Sequence, residues 1–446
     1  MRTLRKSAKS THFRYVVIGM VLAIMTINYI DRGLLAYAQG DITDEFGLSP
    51  SQWGDIQGFF GYGYIFGGLV GGFLNDRKGP RFMWTASVLL WSVCVALTAY
   101  AGDIGLAFFG GSAIAGFFVV RVLFGLAEGP SFVTMSKSMA NWTAPRERAF
   151  TASVTLIGTP LGSLITAPIA SGLLLLTSWR VMFVVLGAIG LLWVLAFSRL
   201  FTDRPENNAR VARDELADIR EGQNTGQEAA HDAASESRWQ DFFRNPSYIL
   251  NTVGFFAISY IIFMLLTWAP KYLQDAYGTQ LSSLWYLGMV PWIGPILTTP
   301  LGGRIADRIA ARTGNLRLAR NSVAFTSLLL SGVFFLCIPL TSSMAGALTF
   351  MSLGNSAALM SNSIFWTNLI DINPLNTGKF AGIMHFLGQT AAAMAPMFTG
   401  YLVSSSGYNA AFLLAGSICL VGMVCVTFIR FAERTPVAPV PETAAP

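Results

Sequence analysis

Apolar residues occur along this chain in twelve runs, each long enough to form a helix that crosses a lipid bilayer. A bilayer core needs about 20 consecutive, mostly apolar residues per helix. The runs lie near 15–38, 53–74, 82–101, 105–130, 149–173, 180–201, 247–272, 283–303, 319–340, 344–370, 379–403 and 409–431. They fill most of the 446 residues. The pattern predicts an all-α integral membrane protein with twelve transmembrane helices and leaves no room for a large soluble catalytic domain.

The longest polar stretch, 202–245, divides the twelve predicted helices into two groups of six. Its part at 209–221 is expected to form a surface helix, and the following Gly-, Gln-, Ala- and Ser-rich part is typical of a flexible linker. The sequence WQDFFRNP is expected to form a short interfacial helix with Trp239, Phe242 and Phe243 on one face. The predicted units are an N-terminal six-helix bundle at 1–201, a cytoplasmic linker at 202–245, a C-terminal six-helix bundle at 246–432 and a disordered tail at 433–446.

A charged motif occurs once in each half of the chain. The sequence GFLNDRKGPR follows the second apolar run, and GRIADR follows the eighth, so both read G-x-x-x-D-R in the same loop of their half. This repeat predicts two pseudo-symmetric bundles related by an axis along the membrane normal. We expect the charges to form a conformational latch that pairs with neighbouring helix ends, rather than to set topology alone. The latch residues are Asp76, Arg77, Arg81, Asp307 and Arg308.

Composition and charge support a membrane location. The chain is 53% hydrophobic and 12% charged, whereas a soluble domain is about 25% charged. Of its 30 Lys and Arg residues, only Arg32, Arg121, Arg180 and Lys271 fall outside the segments on the side of the termini. This bias predicts that both termini are cytoplasmic, in a bacterial inner membrane, and that the net charge of +6 does not serve nucleic-acid binding. We interpret the first apolar run as a retained span rather than a cleaved signal peptide.

Four ionisable side chains lie well inside the apolar runs: Asp31 and Arg32 in the first, Arg121 and Glu128 in the fourth. A charge at the bilayer centre costs roughly 2.5–3.5 kcal/mol on insertion scales, so such residues usually face a bundle interior or a cavity. Arg121 and Glu128 are seven residues apart and share one helix face. We expect the four groups to meet in one water-accessible cavity. A buried ion-pair cluster that only fixes packing is the competing interpretation.

The C-terminal half offers polar rather than charged groups at membrane depth. The tenth run contains Ser361, Asn362 and Trp366, and the eleventh contains His385 and Gln389 one helical turn apart. These residues are candidate ligand contacts opposite the arginine-bearing half. Tyr64 of the second run is a further candidate, because a phenol in apolar surroundings needs a hydrogen-bonding partner.

Several of these segments together resemble a known family. NYIDR in the first run, the GFLNDRKGPR loop, RVLFGLAEGPSF in the fourth run and TWAPKYL at the end of the seventh are similar to the major facilitator superfamily. They resemble in particular its anion:cation symporter branch, which includes galactonate, hexuronate, glucarate and phthalate transporters and the sialin group. The resemblance covers the whole membrane portion of the chain.

The resemblance implies a secondary active transporter in which two six-helix bundles rock about a central site and protons drive uptake of an organic carboxylate. Asp31 and Glu128 would be the protonatable pair, and the proton would be the coupling ion, with no cofactor or metal. Sodium in place of protons stays open as an alternative, although the two arginines make a sodium site less favourable. Arg121 would bind the substrate carboxylate, and Arg32 would hold one of the acids. The remaining substrate contacts would be Tyr29, Tyr64, Ser361, Asn362, Trp366, His385 and Gln389.

Two positions depart from the family pattern. Sugar-acid members often carry Gln in the first half of the seventh span, where this chain has Phe255 and Phe256, and His385 stands where Asn is expected. Because of these differences, an aromatic or aliphatic acid stays an alternative to a sugar acid as the substrate.

Other functions remain as alternatives. A proton-independent exchanger or facilitator of organic anions would use the same fold. A transporter-like sensor would signal through 202–245, which is short for that role. An intramembrane enzyme finds no support, since neither HExxH nor GxSxG occurs. The expected partners are a small organic anion, protons and lipid, with no nucleic acid, and the chain is expected to act as a monomer.

Overall fold

The computed structural model describes residues 12–144, 147, 151, 154–221, 238–372 and 377–431. These residues form helices and connecting turns, without a β-strand among them. The basic N-terminal segment at 1–11, the part of the linker at 222–237 that was predicted to be flexible, and the predicted tail at 433–446 lie outside the described residues.

The N-terminal bundle contains six membrane-crossing segments within the described residues. They are Phe13–Tyr37, the two parts of Pro50–Thr98, Ala113–Glu128 with its continuation Ser131–Trp142, Gly158–Leu176 and Trp179–Leu200. We number them spans one to six. Spans two and three form one kinked helix, in which Gly79 has a φ of +83° and is followed by Pro80. Only glycine adopts this backbone conformation readily.

Span four begins later than the sequence predicts. The run at 105–130 was expected to be one helix, but Ala101–Phe108 is a separate short helix and the span starts at Ala113. Gly110 and Gly111 separate the two, with φ values of +66° and +78°. Two consecutive glycines in left-handed conformations end a helix, and hydrophobicity alone does not reveal that break.

The C-terminal bundle contains spans seven to twelve. They are Pro246–Tyr277, Val290–Thr313, Leu316–Cys337, Met344–Met360 with Asn362–Ile372, Thr377–Gly388 with Ala391–Ser406, and Tyr408–Thr427. Spans ten and eleven are interrupted at Ser361 and at Gln389–Thr390, where the candidate polar residues lie. Eight helices of the described residues are individually long and apolar enough to cross a bilayer, one of them comprising spans two and three. Spans eight, ten and eleven fall short because they are polar or interrupted.

Short helices lie in the connections between the spans. They are Gln39–Phe46, Ala101–Phe108, Arg213–Arg220, Gln240–Arg244 and Leu281–Leu287, with 3-10 turns at Pro205–Asn207 and Ile338–Leu340. Arg14, at the start of span one, donates its main-chain N–H to Glu215 and forms an ion pair with Asp218. The expected surface helix is therefore docked on the N-terminal bundle.

The short helix at Gln240–Arg244 differs from its prediction in one respect. Phe242 is fully buried, with its ring 5.2 Å from that of Tyr248 and 5.6 Å from that of Phe380. Trp239 and Phe243 are exposed instead. The three aromatic residues do not share one face, because Phe242 turns inward to pack on the C-terminal bundle.

The two bundles pack most closely on the side opposite the chain termini. There span two lies against span eleven, with glycines at the contact. A Cβ added at Gly61 would lie 2.2 Å from the main-chain nitrogen of Ala393, and one at Gly54 would lie 2.8 Å from the carbonyl oxygen of Pro396. Small residues allow such approach between membrane helices. Of the eight long apolar helices, the one that forms span seven is the most enclosed, with 78% of the residues in its most apolar stretch buried.

Candidate functional site

Arg32 of span one and Glu128 of span four form a buried ion pair. Nε of Arg32 donates to Oε2 of Glu128 over 2.6 Å, and the two residues are 3% and 0% exposed. The guanidinium carbon also lies 4.4 Å from the ring centroid of Tyr64 and 4.7 Å from that of Tyr29. These rings stabilise the cation by cation–π attraction. The structure therefore brings together four of the predicted site residues from three spans.

Arg121 lies beside this pair without a carboxylate of its own. Its guanidinium carbon is 5.2 Å from the ring centroid of Phe60, and that of Arg32 is 5.1 Å from the same ring. The side chain is 3% exposed, and none of the described carboxylates lies within ion-pair distance of it. Because Glu128 is paired with Arg32, the positive charge of Arg121 lacks a contacting counter-ion.

Asp31 is separate from both arginines. It is 2% exposed, and neither carboxyl oxygen has a hydrogen-bond partner among the described residues. Adjacent residues on a helix point in different directions, which accounts for Arg32 contacting Glu128 while Asp31 does not. The site thus contains one paired and one unpartnered carboxyl group.

The water-accessible cavity expected around these charges is closed in this conformation. All four ionisable residues are at most 3% exposed. The rings of Phe60, Tyr29 and Tyr64 pack directly on the guanidinium groups. Arg32, Arg121 and Glu128 converge as expected beneath aromatic side chains, whereas Asp31 contacts neither arginine.

His385 of span eleven is one of the contacts between the charged site and the C-terminal bundle. Its ring lies 5.9 Å from Tyr64 and 6.0 Å from Phe132, both in the N-terminal bundle. It also lies 5.9 Å from Trp366 and 6.4 Å from Phe255, both in the C-terminal bundle. We call these five residues the aromatic cage. Through Tyr64, the cage adjoins the Arg32–Glu128 pair.

The other predicted contacts of the C-terminal half lie around span breaks. Ser361 is buried, and its hydroxyl donates to the carbonyl of Ala358 over 2.8 Å. Asn362 is half-buried. Gln389 is 8% exposed, and its Oε1 has no hydrogen-bond partner among the described residues. Ser361 therefore uses its donor within its own helix, whereas the acceptor of Gln389 remains unused.

Sequence reasoning missed three aromatic residues of the site. Phe60 contacts both guanidinium groups, Phe132 completes the aromatic cage, and Phe255 contributes a ring where only the absence of a polar residue had been noted. A phenylalanine in an apolar run has no pattern that distinguishes a site-facing ring from a lipid-facing one.

The predicted latch residues form contacts within their own bundles. Asp76 forms an ion pair with Lys137 at 2.9 Å, and Asp307 forms one with Arg320 at 3.0 Å. The guanidinium of Arg81 donates to the carbonyl of Ser198 over 2.8 Å. The other two residues, Arg77 and Arg308, are exposed. In this conformation the charges join neighbouring helix ends, and their role as a latch stays a prediction.

Comparison with known proteins gives consistent results. The model of the Major Facilitator Superfamily matches residues 21–374. The chain is 31% identical over 411 residues to a hexuronate transporter of Bacillus subtilis, covering 91% of this chain and 92% of that one. It is 31% identical over 418 residues to a probable sulfoacetate transporter of Cupriavidus necator, covering 94% of each. A probable galactarate/D-glucarate transporter of Escherichia coli is 28% identical over 448 residues, covering 96% and 97%.

The fold is also that of a solved structure. A bacterial homolog of the human lysosomal transporter Spinster, in an inward-facing and occupied conformation, superposes with a TM-score of 0.71 at 16% identity. The match covers 94% of this chain and 97% of that one. The predicted architecture of twelve helices in two six-helix bundles is confirmed.

Proposed function

Because this chain belongs to the major facilitator superfamily, within its branch of organic-anion transporters, we propose that it is a proton-coupled symporter that imports an organic carboxylate by alternating access. The chain is a transporter and not an enzyme, as its sequence predicted. One observation carries the proposal: among the described residues Arg121 has no contacting carboxylate, because the nearby Glu128 is paired with Arg32, while the carboxyl group of Asp31 elsewhere on span one is unpartnered.

Arg121 binds the substrate carboxylate in this proposal. A buried charge without a partner is unfavourable, so an incoming carboxylate stabilises Arg121 by supplying the missing counter-charge. Guanidinium groups bind carboxylates with two parallel hydrogen bonds, which also fixes the orientation of the bound acid. The relatives are named as transporters of hexuronate, sulfoacetate and galactarate or D-glucarate, which all carry a carboxylate.

Asp31 and Glu128 carry the protons. An ionised carboxyl group at membrane depth is costly without a partner. In this conformation both carboxyl oxygens of Asp31 lack a hydrogen-bond partner among the described residues, which favours the protonated form. Arg32 is the cation in direct contact with Glu128 among the described residues, so movement of Arg32 would favour uptake of a proton by Glu128. Importing one negative charge against a negative-inside potential costs about 2.3 kcal/mol per 100 mV. One accompanying proton cancels that cost, and a second makes the potential drive uptake.

The aromatic cage supports coupling between the two bundles. Glu128 contacts Arg32, Arg32 lies over Tyr64, and the Tyr64 ring contacts His385 of the opposite bundle. Two contacts, Arg32 with Tyr64 and Tyr64 with His385, therefore connect the ion pair to the interface that opens between the bundles. The substrate lies between Arg121 and this interface, and His385, Trp366 and Gln389 complete its site.

The test uses the purified protein in proteoliposomes with radiolabelled D-glucuronate, sulfoacetate, D-glucarate and phthalate. Glu128→Gln should abolish acid-driven accumulation of the transported acid and retain counterflow, in which labelled and unlabelled acid exchange without net proton movement. Glu206→Gln, in the linker region, is the matched control and should retain both activities.

Two results would contradict the proposal. Unchanged acid-driven accumulation in Glu128→Gln would remove this residue from proton coupling. Equal uptake by the wild type with and without a pH gradient would establish the alternative, a proton-independent exchanger or facilitator.

The proposed orientation has both termini in the cytoplasm of a bacterial inner membrane, with the chain acting as a monomer. The basic residues Arg14, Lys137, Arg304, Arg308 and Arg312 lie on the side of the termini, which supports this orientation. A C-terminal alkaline phosphatase fusion should be inactive and a C-terminal fluorescent protein fusion active, and the reverse result would invert the topology.

A further inference from the structure

A cavity of about 550 Å³ opens on the C-terminal bundle at the face opposite the termini, and it shares no residue with the central charged site. It is lined by the end of span seven at 272–277 and by the connections at 339–342 and 406–409. We call it the outer cavity, and we propose that it binds an uncharged ligand with a hydroxylated ring, such as a sugar. Its volume lies within the range of about 300–1,000 Å³ that is typical of small-molecule sites.

Hydrogen bonds hold the tyrosine rings of the outer cavity in place. The hydroxyl groups of Tyr272 and Tyr277 lie 3.1 Å apart, and the hydroxyl of Tyr408 donates to Oδ2 of Asp275 over 2.7 Å. The ring of Tyr272 lies 5.7 Å from that of Tyr277 and 5.2 Å from that of Tyr408, both edge-on. The cavity therefore has an aromatic wall that is already fixed before a ligand binds, which reduces the entropy cost of binding.

The N-terminal bundle closes the corresponding place with its own side chains. Arg180, the second residue of span six, donates to Glu45 over 2.8 Å and to Asp103 over 3.1 Å. This one guanidinium group joins the connections that follow spans one, three and five. The ring of Phe46 fills the space at Gly102, where an added Cβ would lie 2.2 Å from the ring.

The C-terminal bundle repeats only part of this arrangement. Tyr408 begins span twelve as Trp179 begins span six. Each ring donates to a carboxylate of the preceding connection or span end, Tyr408 to Asp275 and Trp179 to Glu45. The next residue in the C-terminal bundle is Asn409 instead of an arginine. The bridging guanidinium group is therefore replaced by a short amide, and the three segments stay apart around the outer cavity.

The side chains of the lining indicate the class of ligand. None of the residues that line the outer cavity carries a charge, and Lys271 already balances the charge of the nearby Asp275 at 2.7 Å. The lining hydroxyl groups and the amide of Asn409 both donate and accept hydrogen bonds, as the hydroxyl groups of a sugar do. The tyrosine rings supply apolar surface for the C–H face of a sugar ring. An ion would instead lose its water without gaining a counter-charge.

Binding to the purified full-length protein tests the proposal. The protein is placed in phosphatidylcholine nanodiscs, because maltoside detergents carry sugar headgroups that would compete. The probe is methyl β-D-glucoside, and saturation-transfer NMR measures its binding. We expect saturable binding with a dissociation constant of about 10 mM or lower. Sorbitol has the hydroxyl groups without the ring and should bind at least about tenfold more weakly, because it is flexible and has no ring face.

Two variants close the outer cavity from opposite walls. Asn409→Arg introduces the residue type that bridges the connections of the N-terminal bundle, and Ser342→Trp fills the cavity from the 339–342 side. Both positions are exposed, and each change should weaken binding of the glucoside at least about tenfold. Gln280→Arg is the matched control, because it adds the same charge at an exposed position that does not line the cavity. It should bind the glucoside as the wild type does.

The outcomes decide the proposal without reference to the transported acid. Absence of saturable glucoside binding by the wild type would overturn it, and so would unchanged binding in the folded closing variants. Tighter binding of choline than of the glucoside would also overturn it, because the tyrosines would then serve a cation. Each of these results leaves the proposed function standing.

A further comparison identifies the source of the sugar. A diglucosyl lipid added to the nanodiscs should displace the glucoside if the natural ligand is a lipid headgroup. Binding that the lipid leaves unchanged would identify a free sugar. Both results support a sugar site at the outer cavity.

Discussion

The buried ion pair between Arg32 and Glu128 makes a strong prediction about stability. Glu128→Gln removes the one carboxylate that, among the described residues, contacts a guanidinium group in a site that contains two of them. Removing one partner of a buried pair typically costs about 3–5 kcal/mol, because the other charge stays buried without compensation. The unfolding entropy is about 2.1 cal/mol/K per residue, so 1 kcal/mol shifts the Tm of a chain this size by about 1 °C. Glu128→Gln should therefore lower the Tm by about 3–5 °C.

A double variant separates this charge effect from general damage. In Arg32→Gln/Glu128→Gln both charges are absent, so neither member of the pair is left as an uncompensated buried charge. Its Tm should lie within about 2 °C of the wild type, above that of Glu128→Gln. The assay is thermal unfolding of the purified protein in one detergent, followed by circular dichroism. A Glu128→Gln variant as stable as the wild type, or a double variant less stable than Glu128→Gln, would refute the reasoning.

Three further predictions concern the contacts that hold the bundles and loops. Gly61→Ala should lower the Tm by more than Gly172→Ala. A Cβ at position 61 would meet main-chain atoms of span eleven, whereas one at position 172 would have nothing within 4 Å. Equal Tm values for the two variants would contradict the close contact. Arg14→Gln should speed proteolysis near Arg213–Arg220, because this helix loses its ion pair with span one; an unchanged rate would show that other contacts hold it. The hydrogen bond from Arg180 lowers the pKa of Glu45. The ionised glutamate therefore stabilises the folded protein at pH values above the ordinary glutamate pKa, and this stabilisation is lost as the pH falls through the lowered pKa. The Tm of the wild type should exceed that of Glu45→Gln at pH 7, and this difference should shrink as the pH falls below the ordinary glutamate range; a difference that stays constant as the pH is lowered would refute this linkage.

Much of the fold follows from hydrophobicity, and the exceptions have local causes. Runs of about 20 apolar residues give the spans because a helix in lipid must satisfy its own backbone hydrogen bonds. The start of span four was misplaced because Gly110 and Gly111 end the preceding short helix through their backbone conformation, not through polarity. Phe242 was assigned to the same face as Trp239 and Phe243 because a five-residue helix gives too little sequence to define its orientation.

The charged site could also be predicted in part from the hydrophobicity pattern. A charge inside an apolar run is conspicuous, so Asp31, Arg32, Arg121 and Glu128 were found from the sequence. The partner of each charge depends on the rotation of one helix against another, which the sequence does not contain. Phe59 and Phe60 are indistinguishable as letters, yet only Phe60 lies against both guanidinium groups, whereas Phe59 packs on Phe118 at 5.0 Å.

The central claim is that protons enter together with the carboxylate. Proteoliposomes with a pH-sensitive dye outside measure this directly when phthalate or D-glucuronate, whichever the protein transports, is added without a prior pH gradient. The proposed mechanism predicts that the medium becomes alkaline at a rate proportional to uptake in the wild type, and that it does not in Glu128→Gln. Uptake of the acid by the wild type with no change in external pH would contradict it.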